Sequence, residues 1–324
     1  MSAVLGIDPG YSSTRVGVFD GNGTAVCTVR SGDDPMEVGE SLARRPLSVV
    51  VVPGGPPAQA YPWHPRNIMA ARAGSYCATK GIPCITALPA SWVELNAKAR
   101  LSGFRECDRR GNFYAIPQMC AFEKAAKHLG VPANSANVIT VYLGDEVSVS
   151  AHSGHEVVDT SDPVACEGPF GFTSAGTLPA TSFVSYLTQA GVGRTSGAAE
   201  AVRSKLKTGS GVFSYAGVGD AEALAAALAA GHEGAARGVQ GMAYQVAKEV
   251  GRQIAALRGK VDCVALCGPG ASLDPLVSGI ELRVRKWAAL LVFAEDLVMP
   301  HLIGEGIRAL SSNCSLSTPR RKES

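Results

Sequence analysis

The chain has 324 residues, of which 46% are hydrophobic and 18% are charged, and its formal net charge is +2. This length favours two domains over one, and the near-neutral charge gives no electrostatic basis for nucleic acid or an acidic membrane as a partner. No apolar run reaches the length of about 18 residues that a membrane span needs. The nine cysteines are irregularly spaced, so we expect a cytoplasmic protein with reduced thiols.

The first part of the chain predicts strands and helices in alternation. AVLGID, RVGVFD and TAVCTV read as three strands, and Gly21–Gly23 marks a hairpin turn between the last two. A buried strand is expected at Leu47–Val52, a helix over 64–80, and a short apolar strand at IPCITALP. From Ser91 to Gly130 the pattern predicts mostly helix, and VPANSAN has the composition of a linker.

The opening pattern returns after this linker. NVITVYLGDEVSVSAHSGHEVVD again predicts strand, turn, strand, turn and strand. Helices are expected over roughly 180–206, 220–230 and 235–258. DCVALCGPG then reads as a buried strand, followed by a helix after Asp274, a strand at WAALLVFA and a helix that ends near Leu310.

The two similar halves indicate an internal duplication of an α/β unit. We therefore expect an N-terminal domain at residues 1–136 and a C-terminal domain at residues 137–299. The C-terminal helix, 300–312, is a candidate completion of the N-terminal domain, and residues 313–324 form a polar tail.

The stretch VLGIDPGYSSTR ends a strand at Asp8 and turns through Gly10, Ser12 and Ser13 towards Arg15. Such a turn directs backbone amides and hydroxyls to one point, and glycine lets a polyphosphate approach closely. Asp8 would hold Mg²⁺ through water, and Arg15 adds positive charge. The alternative is a hairpin tip whose polar side chains cap their own turn. An RNase H-type nuclease also begins with such a strand, but the near-neutral charge disfavours a nuclease.

Three longer blocks resemble the acetate and butyrate kinases, and butyrate kinase most closely. They are Tyr142–Pro179, Gly241–Ala271, and HPRNIMAARAGSYCATKGIP with the later Ala99–Gly103. The resemblance implies the sugar kinase, Hsp70 and actin superfold, which has two duplicated RNase H-like domains with a central cleft for ATP and carboxylate. It also implies ATP and Mg²⁺ as cofactors, a small-molecule substrate and a homodimer.

The same resemblance assigns roles to individual turns. The first turn would reach the transferring phosphoryl group, and the second turn, Gly144 to Ser148, would hold the other phosphates of ATP. Gly268 and Gly270 take the place of the adenosine-binding turn, and Asp220 that of an acidic residue near the nucleotide. Loop amides, hydroxyls and a glycine turn suit this chemistry. A plain strand-to-helix turn is the alternative for the two later glycines.

The turns also depart from the family. Tyr11 stands where the family has a small hydroxyl residue, and Glu222 stands where it has an arginine. Asp145 and Glu146 replace residues of a glycine-rich turn and place two negative charges beside the expected polyphosphate. At about 4 Å and an effective dielectric constant of about 20, each such charge opposes phosphate by up to several kcal/mol, unless it points away or holds a cation.

The catalytic positions differ as well. Leu88 aligns with the family's catalytic acid, Tyr114 with a histidine that stabilises the transferring phosphoryl group, and Ser174 with an arginine. The early arginine near residue 55 is absent. Cations around the developing charge are worth orders of magnitude in the rate of phosphoryl transfer. The sequence therefore predicts an altered or lost kinase activity.

Several polar residues remain as candidates for the site. His64 would orient a substrate or act as a base, with an ordinary buried or surface histidine as the alternative. Glu167 would be catalytic or would cap a loop. Asn67, Tyr114 and Ser174 are candidate substrate contacts.

Two further pairs are weaker candidates. His152 and His155 flank a hairpin turn, but no third metal ligand is apparent. Arg109 and Arg110 form either a solvated turn or a replacement cation.

Two classes of function follow. The first is an ATP-dependent phosphotransferase that acts on a small carboxylate or related acceptor with a rearranged site. The second is a catalytically degenerate homologue that binds a ligand or a partner protein, including the case of a subunit in a larger complex. ATP binding with slow hydrolysis would favour the first class, and co-purification of a stable partner would favour the larger complex.

Overall fold

The computed structural model describes residues 3–11, 13–30, 32–87, 92–192 and 197–311. These residues form an α/β protein with two five-stranded sheets and a two-stranded ribbon, which confirms the predicted fold class. The chain divides into two compact units, one made of residues 1–91 with 298–324 and the other of residues 92–297.

The first sheet begins with three antiparallel strands and continues with parallel ones. In chain order its elements are β1 (Ala3–Pro9), β2 (Thr14–Phe19), β3 (Thr24–Val29), α1 (Pro35–Leu42), β4 (Leu47–Pro53), α2 (Pro65–Lys80) and β5 (Cys84–Ala87). The strands lie in the order β3-β2-β1-β4-β5. β4 is parallel to β1, and β5 is parallel to β4, as in an RNase H-like sheet.

The second sheet repeats this topology. It is preceded by β6 (Trp92–Val93), α3 (Ala97–Arg100), β7 (Gly111–Asn112) and α4 (Ala115–Leu129). Its own elements are β8 (Asn137–Leu143), β9 (Val147–Ser153), β10 (Glu156–Thr160), α5 (Ala180–Gln189), α6 (Ala198–Thr208), α7 (Phe213–Ala216), α8 (Ala221–Ala229), α9 (Glu233–Ala256), β11 (Cys263–Cys267), α10 (Asp274–Val284) and β12 (Ala289–Phe293). The order is β10-β9-β8-β11-β12, so the predicted duplication is confirmed. The last helix is α11 (Val298–Ser311).

We expected the boundary between the units at residue 136. In the structure it lies between residues 91 and 92. Residues 92–136 belong to the second unit because α4 covers its sheet: Phe122 and Ala125 are fully buried in a cluster with Val138 and Ala265. α11 belongs to the first unit, where its Met299 packs so closely that a Cβ at Gly17 would lie 2.5 Å from its sulfur.

Two predicted helical stretches are interrupted. In the described part of this stretch, from residue 92 to 130, only α3 and α4 are α-helical, and the residues between them include the short strand β7. The helix expected over 180–206 is divided into α5 and α6, because Gly191 and Gly197 take positive φ values of 70° and 82° that end one helix and precede the next.

The described part of the chain contains no helix that is both long and apolar enough to cross a membrane. The eight cysteines in this part are free thiols.

Candidate active site

Asp8 and Arg15 form an ion pair across the first hairpin. β1 and β2 pair antiparallel with Asp8 opposite Arg15, which brings the two side chains within reach of each other. Arg15 Nη2 donates to Asp8 Oδ2 at 3.0 Å, and the side chains are 34% and 17% exposed. The structure thus joins two residues for which we predicted separate catalytic roles.

A backbone hydrogen bond closes the turn between β1 and β2. The Gly10 amide donates to the Ser13 carbonyl at 2.8 Å, as expected of a hairpin tip. Both residues are exposed, and Ser12 lies outside the described residues. One amide predicted to face a phosphate is therefore engaged inside the turn.

The groups near Asp8 fit a water-mediated contact to magnesium better than a protein cage. Among the described residues, no group of three or more His, Cys, Asp or Glu side chains could hold a metal ion. Mg²⁺ keeps several waters and commonly takes one or two carboxylates together with phosphate oxygens. Asp8 provides one such carboxylate, and it shares Oδ2 with Arg15.

His64 and Asn67 order the segment that leads into α2. His64 is buried and caps the helix, since Nδ1 accepts a hydrogen bond at 3.3 Å from the amide two residues later. Its ring meets Tyr11 edge-on with 5.4 Å between centroids, which places His64 beside the first turn. The Asn67 side chain donates to the carbonyls of Pro56 and Tyr61 at 3.0 and 2.8 Å. Both residues therefore have structural partners.

Two glycine turns of the second unit meet at the carboxyl ends of neighbouring parallel strands. Gly144 follows β8 and Gly268 follows β11, which pairs with β8. A Cβ at Gly144 would lie 2.9 Å from Tyr142 Cε1, one at Gly268 2.8 Å from Tyr142 Cε2, and one at Gly270 2.8 Å from Leu143 Cβ. Gly268 also takes a positive φ of 87°, whereas a side chain at Gly144 would have to displace the Tyr142 ring. This edge is where open α/β sheets bind ligands.

An aromatic pair lies beside these turns. Tyr142 stacks on Tyr114 with 3.9 Å between ring centroids and 9° between ring planes. Tyr114 immediately precedes α4, and its hydroxyl donates to Glu146 Oε2 at 3.0 Å. The hydroxyl group of Tyr114 is thus engaged in a hydrogen bond within the protein.

Glu146 does not face the solvent beside the second turn. Its side chain is 1% exposed and pairs with Lys207 of α6, which is 4% exposed, with 2.6 Å between Nζ and Oε1. Burial, the largest single influence, lowers the pKa of Lys207, but Glu146, Cys166 and Asp162 together raise it, so the pKa lies above its ordinary value. The ammonium group stays charged and neutralises the carboxylate, and the repulsion expected from Glu146 is absent. Asp145 is only partly buried.

Ser148 is also turned inwards, contrary to our expectation of a phosphate contact. It is fully buried on β9, where Oγ accepts hydrogen bonds from the Gln118 side chain and from the Tyr114 amide. Thr140 donates to Gln118 Oε1 at 2.7 Å, and His152 Nε2 lies 2.8 Å from the Thr140 hydroxyl. Ser148 therefore belongs to a buried polar chain between β8, β9 and α4.

The two histidines of the β9–β10 hairpin do not converge. His152 is fully buried, and burial lowers its pKa to about 3. His155 is exposed on the other side of the turn, with Nδ1 3.3 Å from Glu123 Oε1. The two histidines therefore lie in different surroundings, one inside the protein and one at its surface.

Glu167 belongs to an ion-pair network. Arg109 Nε donates to Glu167 Oε1 at 2.7 Å, and its Nη2 donates to Asp159 Oδ1 at 3.0 Å. The same guanidinium group reaches the carbonyls of Ala99 and Thr160. Burial raises the pKa of Glu167, and Arg109 opposes the shift. Arg109 is thus a largely buried clamp rather than a solvated turn, and Glu167 is one of its anchors.

Ser174 and Asp220 also form hydrogen bonds within the protein. Ser174 is buried in a loop that covers the second turn, and its amide donates to the Asp145 carbonyl at 3.0 Å. Asp220 is exposed at the start of α8, where Oδ1 accepts from the Ala223 amide at 2.8 Å as a helix cap. Leu88 lies outside the described residues.

The structure therefore brings some of the candidates together within each unit and leaves others, such as Glu167 and Asp220, in separate surroundings. Asp8, Arg15 and His64 lie around the first turn. In the second unit the glycine turns lie beside Tyr114. Sequence reasoning missed Lys207 and Tyr142. The alternation of β9 places Glu146 on the same face as Ser148, Ser150 and His152, which was a signal of a buried polar face.

Comparison with known proteins agrees with this architecture. The chain is 29% identical over 244 residues to a protein of Enterococcus faecalis described as "Probable butyrate kinase", and 29% identical over 231 residues to one of Elusimicrobium minutum with the same description. These alignments cover 75% and 68% of this chain, and the chain spans 66% and 61% of the length of those relatives.

The fold comparison covers nearly the whole chain. A crystal structure of a propionate kinase from Francisella tularensis superposes with a TM-score of 0.72, over 94% of this chain and 98% of that one, at 16% identity. At 16% identity this match supports a shared fold and no more. The sequence profile of the acetokinase family matches residues 108–271, which is just over half of the chain and includes both glycine turns of the second unit. The chain belongs to the acetokinase family.

Proposed function

We propose that this protein is an ATP-dependent phosphotransferase that acts on a small carboxylate or related acceptor. The observation that carries the proposal is the meeting of the Gly144 and Gly268 turns at the carboxyl ends of adjacent strands β8 and β11. Backbone without side chains at this sheet edge suits the approach of phosphate and nucleoside. Membership of the acetokinase family supports a carboxylate as the acceptor.

The charge at the second turn supports nucleotide binding as well. An unpaired carboxylate about 4 Å from a phosphate would oppose binding by about 4 kcal/mol at an effective dielectric constant of about 20. Glu146 is instead buried against Lys207, so the pair presents no net charge. Asp145 is then the acidic side chain of this turn that remains only partly buried.

In the proposed reaction a carboxylate oxygen of the acceptor attacks the γ-phosphorus of ATP. A bond forms between that oxygen and phosphorus, the bond from phosphorus to the ADP oxygen breaks, and an acyl phosphate and ADP result. Magnesium bound with ATP would neutralise phosphate charge, and we assign Asp8 as the carboxylate that would hold its water shell. Arg15, paired with Asp8, would add positive charge beside the first turn.

A second candidate function is binding of a ligand or partner protein without phosphoryl transfer. It is favoured by Tyr114 and Ser174, which align with the family's histidine and arginine. The Tyr114 hydroxyl donates its hydrogen bond to Glu146. Ser174 is buried and carries no charge. Neither residue supplies a cation for the developing charge of a transferring phosphoryl group.

Trapping of acyl phosphate with hydroxylamine distinguishes the two functions. Purified protein is incubated with MgATP and acetate, propionate or butyrate, and the hydroxamate product is measured. Product above the level without enzyme, lost in Asp8→Ala but kept in the exposed control Asp33→Ala, is the expected result. Nucleotide binding with no product from any short carboxylate would favour the non-catalytic function.

We also propose a cytoplasmic homodimer, because family membership supports both features. Light scattering after size exclusion tests the dimer, and a mass of one chain at micromolar concentration would contradict it.

A further inference from the structure

Both carboxylate oxygens of Glu146 are engaged inside the second unit. Oε1 lies 2.6 Å from Lys207 Nζ, and Oε2 accepts the Tyr114 hydroxyl proton at 3.0 Å. The residue follows directly after the partly exposed Asp145, yet its side chain is almost fully buried. The direction of this side chain therefore depends on the two partners that hold it.

Lys207 is itself fixed in place by the neighbouring loop. Its Nζ donates a second hydrogen bond, at 2.6 Å, to the carbonyl of Pro163, and its own carbonyl accepts from the Thr173 hydroxyl at 3.0 Å. The loop that contains Thr173 is bonded in turn to the Asp145 carbonyl. The ammonium group consequently has one defined position beneath the second turn.

We propose that Lys207 is a positioning residue that keeps the second turn open to a polyphosphate anion by holding Glu146 inside the protein. This inference rests on the proposed function and adds a determinant of nucleotide binding to it. Without the ammonium group, an ionised Glu146 has no compensating charge in the interior, and the nearby solvent at the turn becomes its lower-energy location. There the carboxylate faces the phosphates and repels them.

The assignment makes a prediction that separates phosphate from nucleoside. Repulsion by a carboxylate acts on the charged phosphates and leaves uncharged adenosine unaffected. Loss of Lys207 should therefore weaken MgATP binding and leave adenosine binding unchanged. A general loss of structure would weaken both.

The test is calorimetric titration with MgATP and with adenosine at pH 8 and low salt, using folded variants. Lys207→Met should bind MgATP about tenfold or more weakly than the wild type. The double variant Lys207→Met with Glu146→Gln should recover the wild-type affinity. Lys205→Met removes the same charge from an exposed position of α6 and should bind like the wild type.

The outcomes separate this inference from the function on which it rests. If the folded wild type binds no MgATP, the proposed function fails and the role of Lys207 fails with it. If the wild type binds and folded Lys207→Met binds equally well, only the role of Lys207 is overturned. If Lys207→Met does not fold, Glu146→Gln decides: affinity at or above that of the wild type supports the inference, and a tenfold loss overturns it.

Discussion

Two turns occupy equivalent places in two sheets of the same strand order: the turn between β1 and β2, and the turn between β8 and β9. Beside each turn a carboxylate is paired with a cation. In the first, Asp8 and Arg15 face each other across a hairpin and remain partly exposed. In the second, Glu146 and Lys207 are 61 residues apart in sequence and almost fully buried. The exposed pair can exchange partners with little cost, whereas the buried pair holds its turn in one arrangement.

The largest effect that tests this difference is expected in the buried pair. Lys207→Met leaves Glu146 without a counter-charge, and should lower the free energy of unfolding by up to about 3–5 kcal/mol, the cost of a carboxylate left buried and unpaired. Movement of the carboxylate to solvent would reduce this cost. Replacing both partners, as Lys207→Met with Glu146→Leu, should recover most of this loss because no charge is left buried. Urea denaturation measures both, and equal losses in the single and double variants would contradict a paired role.

The next largest effect concerns Arg109, the clamp of the second unit. Its guanidinium group binds Asp159 and Glu167 and reaches two carbonyls. Arg109→Met should cost about 1–3 kcal/mol of unfolding free energy, since it leaves largely buried acceptors unsatisfied. Its exposed neighbour is the matched control, and Arg110→Met should change stability by no more than about 0.5 kcal/mol. Equal effects would mean that Arg109 is an ordinary surface residue.

A pH-dependent effect of similar size is expected from Asp162. Burial raises its pKa to about 6, against opposing hydrogen bonds from the Ala165 amide and Asn112. The folded-state pKa of Asp162 lies above the unfolded value of about 3.9. The contribution of protonated Asp162 to the free energy of unfolding is therefore complete below about pH 4 and is lost as pH rises through about 6. Between pH 4 and pH 8 the wild type should lose up to about 3 kcal/mol relative to Asp162→Asn. Parallel stability profiles of the two proteins would contradict the raised pKa.

The smallest stability effect is expected in the first turn. Asp8→Ala removes one partner of a partly exposed ion pair and should change the unfolding free energy by about 1 kcal/mol or less. The same change should abolish the rise in melting temperature that MgATP produces, if Asp8 holds the water shell of magnesium. Thermal denaturation with and without MgATP measures this. Asp33→Ala is the control, and an unchanged MgATP effect in Asp8→Ala would remove Asp8 from the role.

Local patterns were sufficient for the sheets and the duplication. The hairpin turns, the alternating strands and the strand β11 with its glycine turn were all predicted from short stretches of sequence. The helix expected between Ser91 and Gly130 was wrong over much of its length. That segment is held by long-range contacts such as those of Arg109 with Asp159, which lie 50 residues apart in the chain.

The candidate site shows the same limit more clearly. Gly144, Gly268 and Gly270 were identified through the resemblance to the acetate and butyrate kinases. The direction of Glu146 was not, because it depends on Lys207 from a distant helix and on Tyr114 from the segment before the sheet. From the sequence we expected the negative charge of Glu146 to lie beside the phosphates. The tertiary structure shows that this charge is buried and paired with Lys207.

The central claim is that the second turn still accepts a polyphosphate. Isothermal calorimetry of the folded wild-type protein with MgADP and with adenosine tests it most directly. We predict that MgADP binds with a Kd below about 100 µM, equivalent to about −5.5 kcal/mol, and more tightly than adenosine. No detectable heat with MgADP, or equal affinity for the two ligands, would contradict a working phosphate site at this turn.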